Sequence, residues 1–169
     1  QEGKTEKNWT FFSDGKPNEK IKSVYTISPH VIFEMNGKDF VEQHSIEWAH
    51  GWKYGELRGG TSPIKYKDHY LSFFHSSLAI SNGRQYFMGA YMFEKEAPYK
   101  PIAISETPII AGEIVPFEIP RLSNKIFVVF PGGVVEEKNS FKVFFGFNDY
   151  QCRMVDVTKK YLTTNLKAI

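Results

Sequence analysis

Glu56 and Arg58 stand two residues apart, directly ahead of a glycine pair, in the stretch W-A-H-G-W-K-Y-G-E-L-R-G-G-T-S-P-I from Trp48 to Ile64. Those residue types could do two kinds of chemistry. A carboxylate such as Glu56 can take part in glycoside cleavage when a second acid lies within about 5–10 Å of it. The Arg58 guanidinium presents a fixed fork of hydrogen-bond donors. Gly59 and Gly60 would let the backbone approach a ligand or a neighbouring strand closely. Trp9, Trp48, Trp52 and Tyr54 have ring faces on which the apolar face of a sugar can stack, although aromatic residues of a β protein pack more often into its core. The plain alternative for Glu56 is an ion pair with Arg58 or Lys53, and the residues alone favour it.

Such groups need a scaffold, and the chain around them reads as strands. The sequence has 169 residues, enough for one domain with a real core. Aromatic residues make up 16% of it, which together with frequent turn residues favours an all-β fold. Strands are expected at Asn8–Phe12, Ile21–Ile27 and His30–Met35, the last closed by Asn36-Gly37. Further strands are expected at Pro63–Tyr66, Tyr70–His75, Tyr86–Glu94, Lys125–Phe130, Phe141–Phe147 and Cys152–Val157. Phe40–Tyr54 is less regular and leaves a helix open. Pro131-Gly132-Gly133 is expected to break its strand, and Thr158–Ile169 to form a short helix or a loose strand. One phrase of approach, short strand, turn and longer aromatic strand begins near Lys7, near Arg58 and near Phe130. Repeated antiparallel meanders at this scale point to propeller blades. The expectation is one domain over 1–169, with blade-like repeats at about 6–54, 55–124 and 125–169; a two-layer β sandwich is the alternative.

The totals exclude several functions. A net charge of +2, with both signs interleaved, carries no nucleic-acid footprint. Cys152 is the single cysteine, so neither an internal disulfide nor a thiolate metal cluster is expected. His30, His44, His50, His69 and His75 lack zinc-ligand spacing. There is no P-loop, dinucleotide fingerprint or serine-nucleophile elbow, and no cofactor is implied. No apolar run has the length of a membrane span, and no signal peptide is visible, which favours the cytoplasm. Gln1 is not a natural first residue, so a targeting segment ahead of it stays open.

Several phrases together resemble glycoside hydrolase family 130, the five-bladed propellers of mannoside phosphorylases and β-mannosidases. They are E-K-N-W at 6–9, R-G-G-T-S-P-I at 58–64, L-S-F-F-H-S-S at 71–77, V-V-F-P-G-G-V-V at 128–135 and F-F-G-F-N-D at 144–149. They fall in the family's order over nearly the whole chain. The resemblance covers only the later blades, because a five-bladed propeller takes roughly 250–350 residues. It implies about three four-stranded blades, as a fragment or a reduced relative. A missing N-terminal half or a homo-oligomer would cover the sheet edges that such a shape exposes.

The resemblance also implies where a ligand would sit. In such a propeller Lys7 and Asn8, Glu56 and Arg58, and Phe130 to Gly133 converge on one mouth of the central channel. His75 matches a family histidine able to bond a sugar hydroxyl or an anion, and Asp149 matches an aspartate near the pocket. The implied substrate-binding set is Lys7, Asn8, Trp52, Tyr54, Arg58, His75 and Asp149. Glu56 and Asp149 are the catalytic candidates, since the family's general acid lies in an earlier blade and falls on no residue here. The family's basic residues fall on Glu56 and Ser28, and both departures remove positive charge. That argues against inorganic phosphate as a co-substrate and for hydrolysis of a mannose-type glycoside. The other class of function left open is a non-catalytic glycan-binding or glycan-assembly module.

Overall fold

The structure is a computed structural model that describes residues 7–81, 83–112 and 128–169. Residues 125–127 of the strand expected at Lys125–Phe130, the proline-rich stretch around Pro116 and Pro120, and most of the polar N-terminal end lie outside the described residues. The elements are β1 (Thr10–Phe12), β2 (Lys22–Thr26), β3 (His30–Asn36), β4 (Asp39–Ile46), β5 (Ile64–Tyr66), β6 (His69–Ile80), β7 (Gly83–Glu94), β8 (Pro101–Ser105), β9 (Ile110–Ala111), β10 (Val129–Glu136), β11 (Ser140–Phe147), β12 (Gln151–Thr158), α1 (Lys159–Asn165) and β13 (Leu166–Ala168). They form three antiparallel sheets. The first has the order β1-β2-β3-β4, the second β13-β8-β7-β6-β5 with β9 beside β7, and the third β10-β11-β12.

The core explains the sequence pattern. Along β11, Phe141, Val143, Phe145 and Phe147 are buried and alternate with more exposed residues, the period of a sheet covered on one face. β6 and β7 show no such alternation, because both faces of the second sheet are covered. On one face, Leu71, Phe73 and Met88 pack with Phe141, Val143 and Phe145 of the third sheet. On the other, Tyr70, Phe74 and Tyr91 pack with Phe12, Val24 and Ile32 of the first. The turn after β1 is tied across as well: Tyr70 Oη donates to Asp14 Oδ1 at 2.5 Å, and Lys65 Nζ donates to the Asp14 carbonyl at 2.7 Å.

The strand counts differ from three units of four. Pro131-Gly132-Gly133 does not end its strand; β10 runs through it with a register shift between Pro131 and Gly133, a bulge that absorbs the irregular residues. The tail is both helix and strand. Thr158 caps α1, its Oγ1 accepting from the Tyr161 N–H at 3.1 Å. β13 then leaves the third repeat and adds to β8 in the second sheet, pairing Leu166 with Ser105. In the Phe40–Tyr54 stretch the chain continues as β4 to Ile46 and then runs irregularly, with no helix.

Gly60 lies where the second and third sheets meet. A Cβ there would sit 2.5 Å from the Phe73 carbonyl oxygen and 2.6 Å from Pro131 Cγ, whereas one on Gly132 would meet nothing within 4 Å. Gly60→Ala is therefore expected to lower unfolding stability by about 1–3 kcal/mol, while Gly132→Ala stays within about 0.5 kcal/mol of the parent. Urea-unfolding midpoints of the two variants check this; equal midpoints would contradict the tight joint.

Candidate functional site

A cavity of about 320 Å³ opens between the first two sheets. Lys7, Asn8 and Trp9 line it from the approach to β1, Tyr25, Thr26 and Ile27 from the end of β2, and Glu56, Leu57, Arg58 and Gly59 from the segment before β5. Asn8 has a left-handed backbone (φ 65°), which asparagine tolerates better than most residues. Its carbonyl oxygen lies where a Cβ on Gly59 would be only 2.1 Å away. The glycine therefore sets the width of the cavity floor.

Arg58 is held at its backbone. Its N–H donates to the His75 carbonyl at 2.9 Å, and its carbonyl accepts from the His75 N–H at 3.0 Å. Its guanidinium reaches back to Glu56: Nη2 lies 2.8 Å and Nε 3.3 Å from the same oxygen, Oε2. Glu56 is 72% exposed, so this pair contributes little to stability and a ligand can compete for it. Of the two readings of Glu56, the structure forms the ion pair with Arg58.

His75 is buried beneath this segment. Its Nδ1 is 2.9 Å from the Gly59 carbonyl oxygen, so Nδ1 carries the proton and Nε2 keeps the lone pair. The ring packs against Phe130, with centroids 4.6 Å apart, and stacks with Tyr86 at 6.1 Å. Burial lowers its pKa to about 4, and the positive charges of Arg58 and Lys7 push it the same way. His75 is thus a neutral imidazole at pH 7. It is a positioning element under Arg58 and does not line the cavity.

The structure brings Lys7, Asn8, Glu56 and Arg58 to one cavity. The Phe130–Gly133 segment reaches the same joint from behind, through Phe130 on His75 and Pro131 against Gly60. The other expected residues lie elsewhere. Trp52 is a core residue, 6% exposed; its indole N–H donates to Ser76 Oγ at 2.9 Å and its ring packs on Phe74 and Tyr54, so it offers no free face to a sugar. Trp48 donates to the Ile27 carbonyl at 2.6 Å. Tyr54 lines a different cavity, of about 780 Å³, beside His50, Glu106 and Lys167. Asp149 is exposed in the left-handed turn between β11 and β12 (φ 51°), next to Asn148, whose Oδ1 accepts from the Val128 N–H at 2.8 Å. It does not line the cavity. Tyr25, Thr26 and Ile27 do, although S-V-Y-T-I reads as ordinary strand and carries no signal for a site. Among the described residues, no group of three His, Cys, Asp or Glu side chains gathers around a point that could hold a metal ion. No described helix is long and apolar enough to cross a membrane.

No protein-family model and no curated protein sequence matches the chain. Solved structures do. The β-1,2-mannobiose phosphorylase of Listeria innocua, in complex with β-1,2-mannobiose, matches over 94% of this chain with a TM-score of 0.68 and 22% identity. A candidate glycoside hydrolase of Bacteroides ovatus matches over 96% (TM-score 0.65, 18% identity), and one of Parabacteroides distasonis over 91% (TM-score 0.64, 15% identity). The fold resemblance to glycoside hydrolase family 130 is thereby shown. The chain spans about half the length of these structures, 46% to 53% of each.

Two buried histidines fix how stability depends on pH. His75 has its pKa lowered to about 4, and His30, wholly buried beside Tyr91 and Phe93, to about 3. An unfolded histidine takes up its proton near pH 6.5. Below that pH the unfolded chain binds more protons than the folded one, so stability is full above it and falls as pH drops toward 4. The slope approaches about 1.4 kcal/mol per pH unit for each histidine. Urea midpoints at pH 7.5, 6 and 5 should decline in that order, less steeply in His75→Gln; a flat profile would contradict the burial of both rings.

Proposed function

We propose that this chain is carbohydrate-active and takes a mannose-type glycoside in the cavity of Lys7, Asn8, Glu56 and Arg58, with hydrolysis favoured over phosphorolysis. The observation that carries this reading is the placement of a guanidinium and an exposed carboxylate in one cavity, between two sheets of a fold shared with a mannobiose phosphorylase. Its three sheets are read as successive propeller blades: they stack in sequence order, and their approach segments meet through Asn8, Gly59, Gly60 and Pro131. Lys7, Asn8 and the donors of Arg58 would bind sugar hydroxyls, and Trp9 and Tyr25 at the cavity wall would meet the apolar ring face. Glu56 and Ser28 stand where the resemblance places basic residues, which leaves Lys7 and Arg58 as the cationic side chains among the described residues of the cavity. Phosphate has a weaker partner set there than in a phosphorylase.

One observation favours the second reading, a glycan-binding module without turnover. Among the described residues, Glu56 is the one carboxylate that lines the cavity. Cleavage by paired carboxyl groups needs another acid at about 5–10 Å.

Calorimetric titration with mannobiose should detect binding to the parent chain and at least tenfold weaker binding to Arg58→Ala. Incubation with nitrophenyl-mannoside and with mannobiose, each with and without phosphate, should release mannose independently of phosphate. Release of mannose 1-phosphate would overturn the preference for hydrolysis. Binding without any release selects the glycan-binding module. Mannobiose affinity unaffected by Arg58→Ala would remove the cavity from consideration.

A further inference from the structure

The aromatic row Trp48, His50, Trp52 and Tyr54 divides in the fold. Trp48 and Trp52 give their indole N–H groups to Ile27 and Ser76, whereas His50 and Tyr54 line the second cavity, of about 780 Å³. That volume is within the roughly 300–1,000 Å³ of small-molecule sites. The walls come from two places in the chain. The segment after β4 supplies His50, Lys53 and Tyr54, and the end of β8 together with β13 supplies Glu106, Thr107 and Lys167. No described residue lines both this cavity and the one that holds Arg58.

Both walls are fixed. The Tyr54 carbonyl accepts from Ser76 Oγ at 2.7 Å, and its ring is braced by Trp52 and Phe87, with centroids 4.9 and 5.1 Å away. In the other wall Asn165 clamps the turn after β8. Its Oδ1 accepts from the Thr107 N–H at 3.1 Å and from Thr107 Oγ1 at 3.0 Å, and its Nδ2 donates to the Thr107 carbonyl at 2.9 Å. Its backbone carbonyl accepts from the Glu106 N–H at 2.8 Å. The polar groups held by these walls are underused. Lys53 is exposed and has no ion pair among the described residues. Lys167 Nζ and Glu106 Oε2 lie 3.5 Å apart with both side chains more than half exposed, a pair that contributes little to stability. His50 Nδ1 is buried without a hydrogen-bond partner, and burial favours the neutral ring. A buried polar atom left unpaired calls for a partner, which a ligand hydroxyl supplies directly or through a water.

We propose that this cavity binds a neutral saccharide, as a second carbohydrate site separate from the cavity of Arg58. The donors and acceptors among its described residues select that class. A sugar hydroxyl both donates and accepts, so it uses the ammonium donors of Lys53 and Lys167 together with the carboxylate acceptor of Glu106. An anion only accepts, and Glu106 repels it. A wholly apolar ligand would take water from three charged side chains and return no hydrogen bond. The Tyr54 ring, already braced, gives the apolar face of a sugar a place to stack at little cost in ordering. The wall segment runs directly on through Gly55 into Glu56–Gly59 of the first cavity, so one stretch of chain serves both. The chemistry of this cavity is independent of the first; only the choice of a mannoside as probe rests on the glycoside reading.

Heteronuclear NMR of the nitrogen-labelled chain reads the two cavities separately. Titration with mannobiose should shift the amide signals of Gly51, Tyr54 and Thr107 saturably, in the parent and equally in Arg58→Ala. Glu106→Gln and Lys53→Ala, both at exposed positions, should each raise the dissociation constant read from those signals about tenfold, with the rest of the spectrum unchanged. Glucuronate, the same kind of ring with a negative charge, should bind more weakly than mannobiose. Glucuronate that binds more tightly, and tighter still to Glu106→Gln, overturns the proposal in favour of an anion site. Shifts that disappear in Arg58→Ala also overturn it, since they would report the first cavity. Response at Asn8 and Gly59 with Gly51, Tyr54 and Thr107 silent removes this site and leaves the glycoside reading of the first cavity standing. Response at Gly51, Tyr54 and Thr107 with Asn8 and Gly59 silent supports this site and removes that reading.

Discussion

Where Gly59 meets the carbonyl of Asn8 and Gly60 meets Phe73 and Pro131, three sheets touch through backbone, with no side chain on the glycine to hold them apart. A Cβ at either position would fall well inside van der Waals distance of a neighbour, so the joint exists only because two adjacent residues lack one. Gly55 extends the same constraint, with its α-carbon against the Ser77 carbonyl and a positive φ of 96°. The six residues from Gly55 to Gly60 therefore act as one rigid seat. They place Arg58 on β6, fix Asn8 opposite it and leave the intervening space as the cavity.

The electrostatics of the cavity follow from that seat. Gly59 presents its carbonyl to His75 Nδ1, which settles the tautomer, and burial keeps the ring neutral. A neutral imidazole under Arg58 adds no repulsion to the guanidinium, which remains free to pair with Glu56. Because Glu56 is exposed, the pair is held in water, where charge attraction is weak.

Most strand positions and the turns between them were legible in the chain, because strand propensity and turn chemistry are local properties; β4, in a stretch that reads as irregular, was not. The rest was decided by contacts between distant segments. Pro131-Gly132-Gly133 reads as a strand break, yet pairing with β11 carries the strand across it as a bulge. Nothing in Leu166–Ala168 announces that it will cross to pair with β8. Trp52 and Trp9 have similar sequence surroundings, rich in aromatic and polar residues. Trp52 is drawn inward by Ser76 and Phe74, while Trp9 stays at the cavity wall.

The sequence by itself determined the residue types of the site, Arg58 with Glu56 beside two glycines, and the β scaffold that carries them. It also carried the resemblance to family 130, because the motifs that bear it are short and contiguous. Only the tertiary structure decided that Asn8 and Tyr25 share a cavity with Arg58, that His75 lies beneath that cavity, and that Asp149 stands apart from it. The physical reason is that those relations depend on how sheets pack face to face, and the packing distance is set by side-chain volume, or its absence at Gly59 and Gly60, summed over residues far apart in the chain.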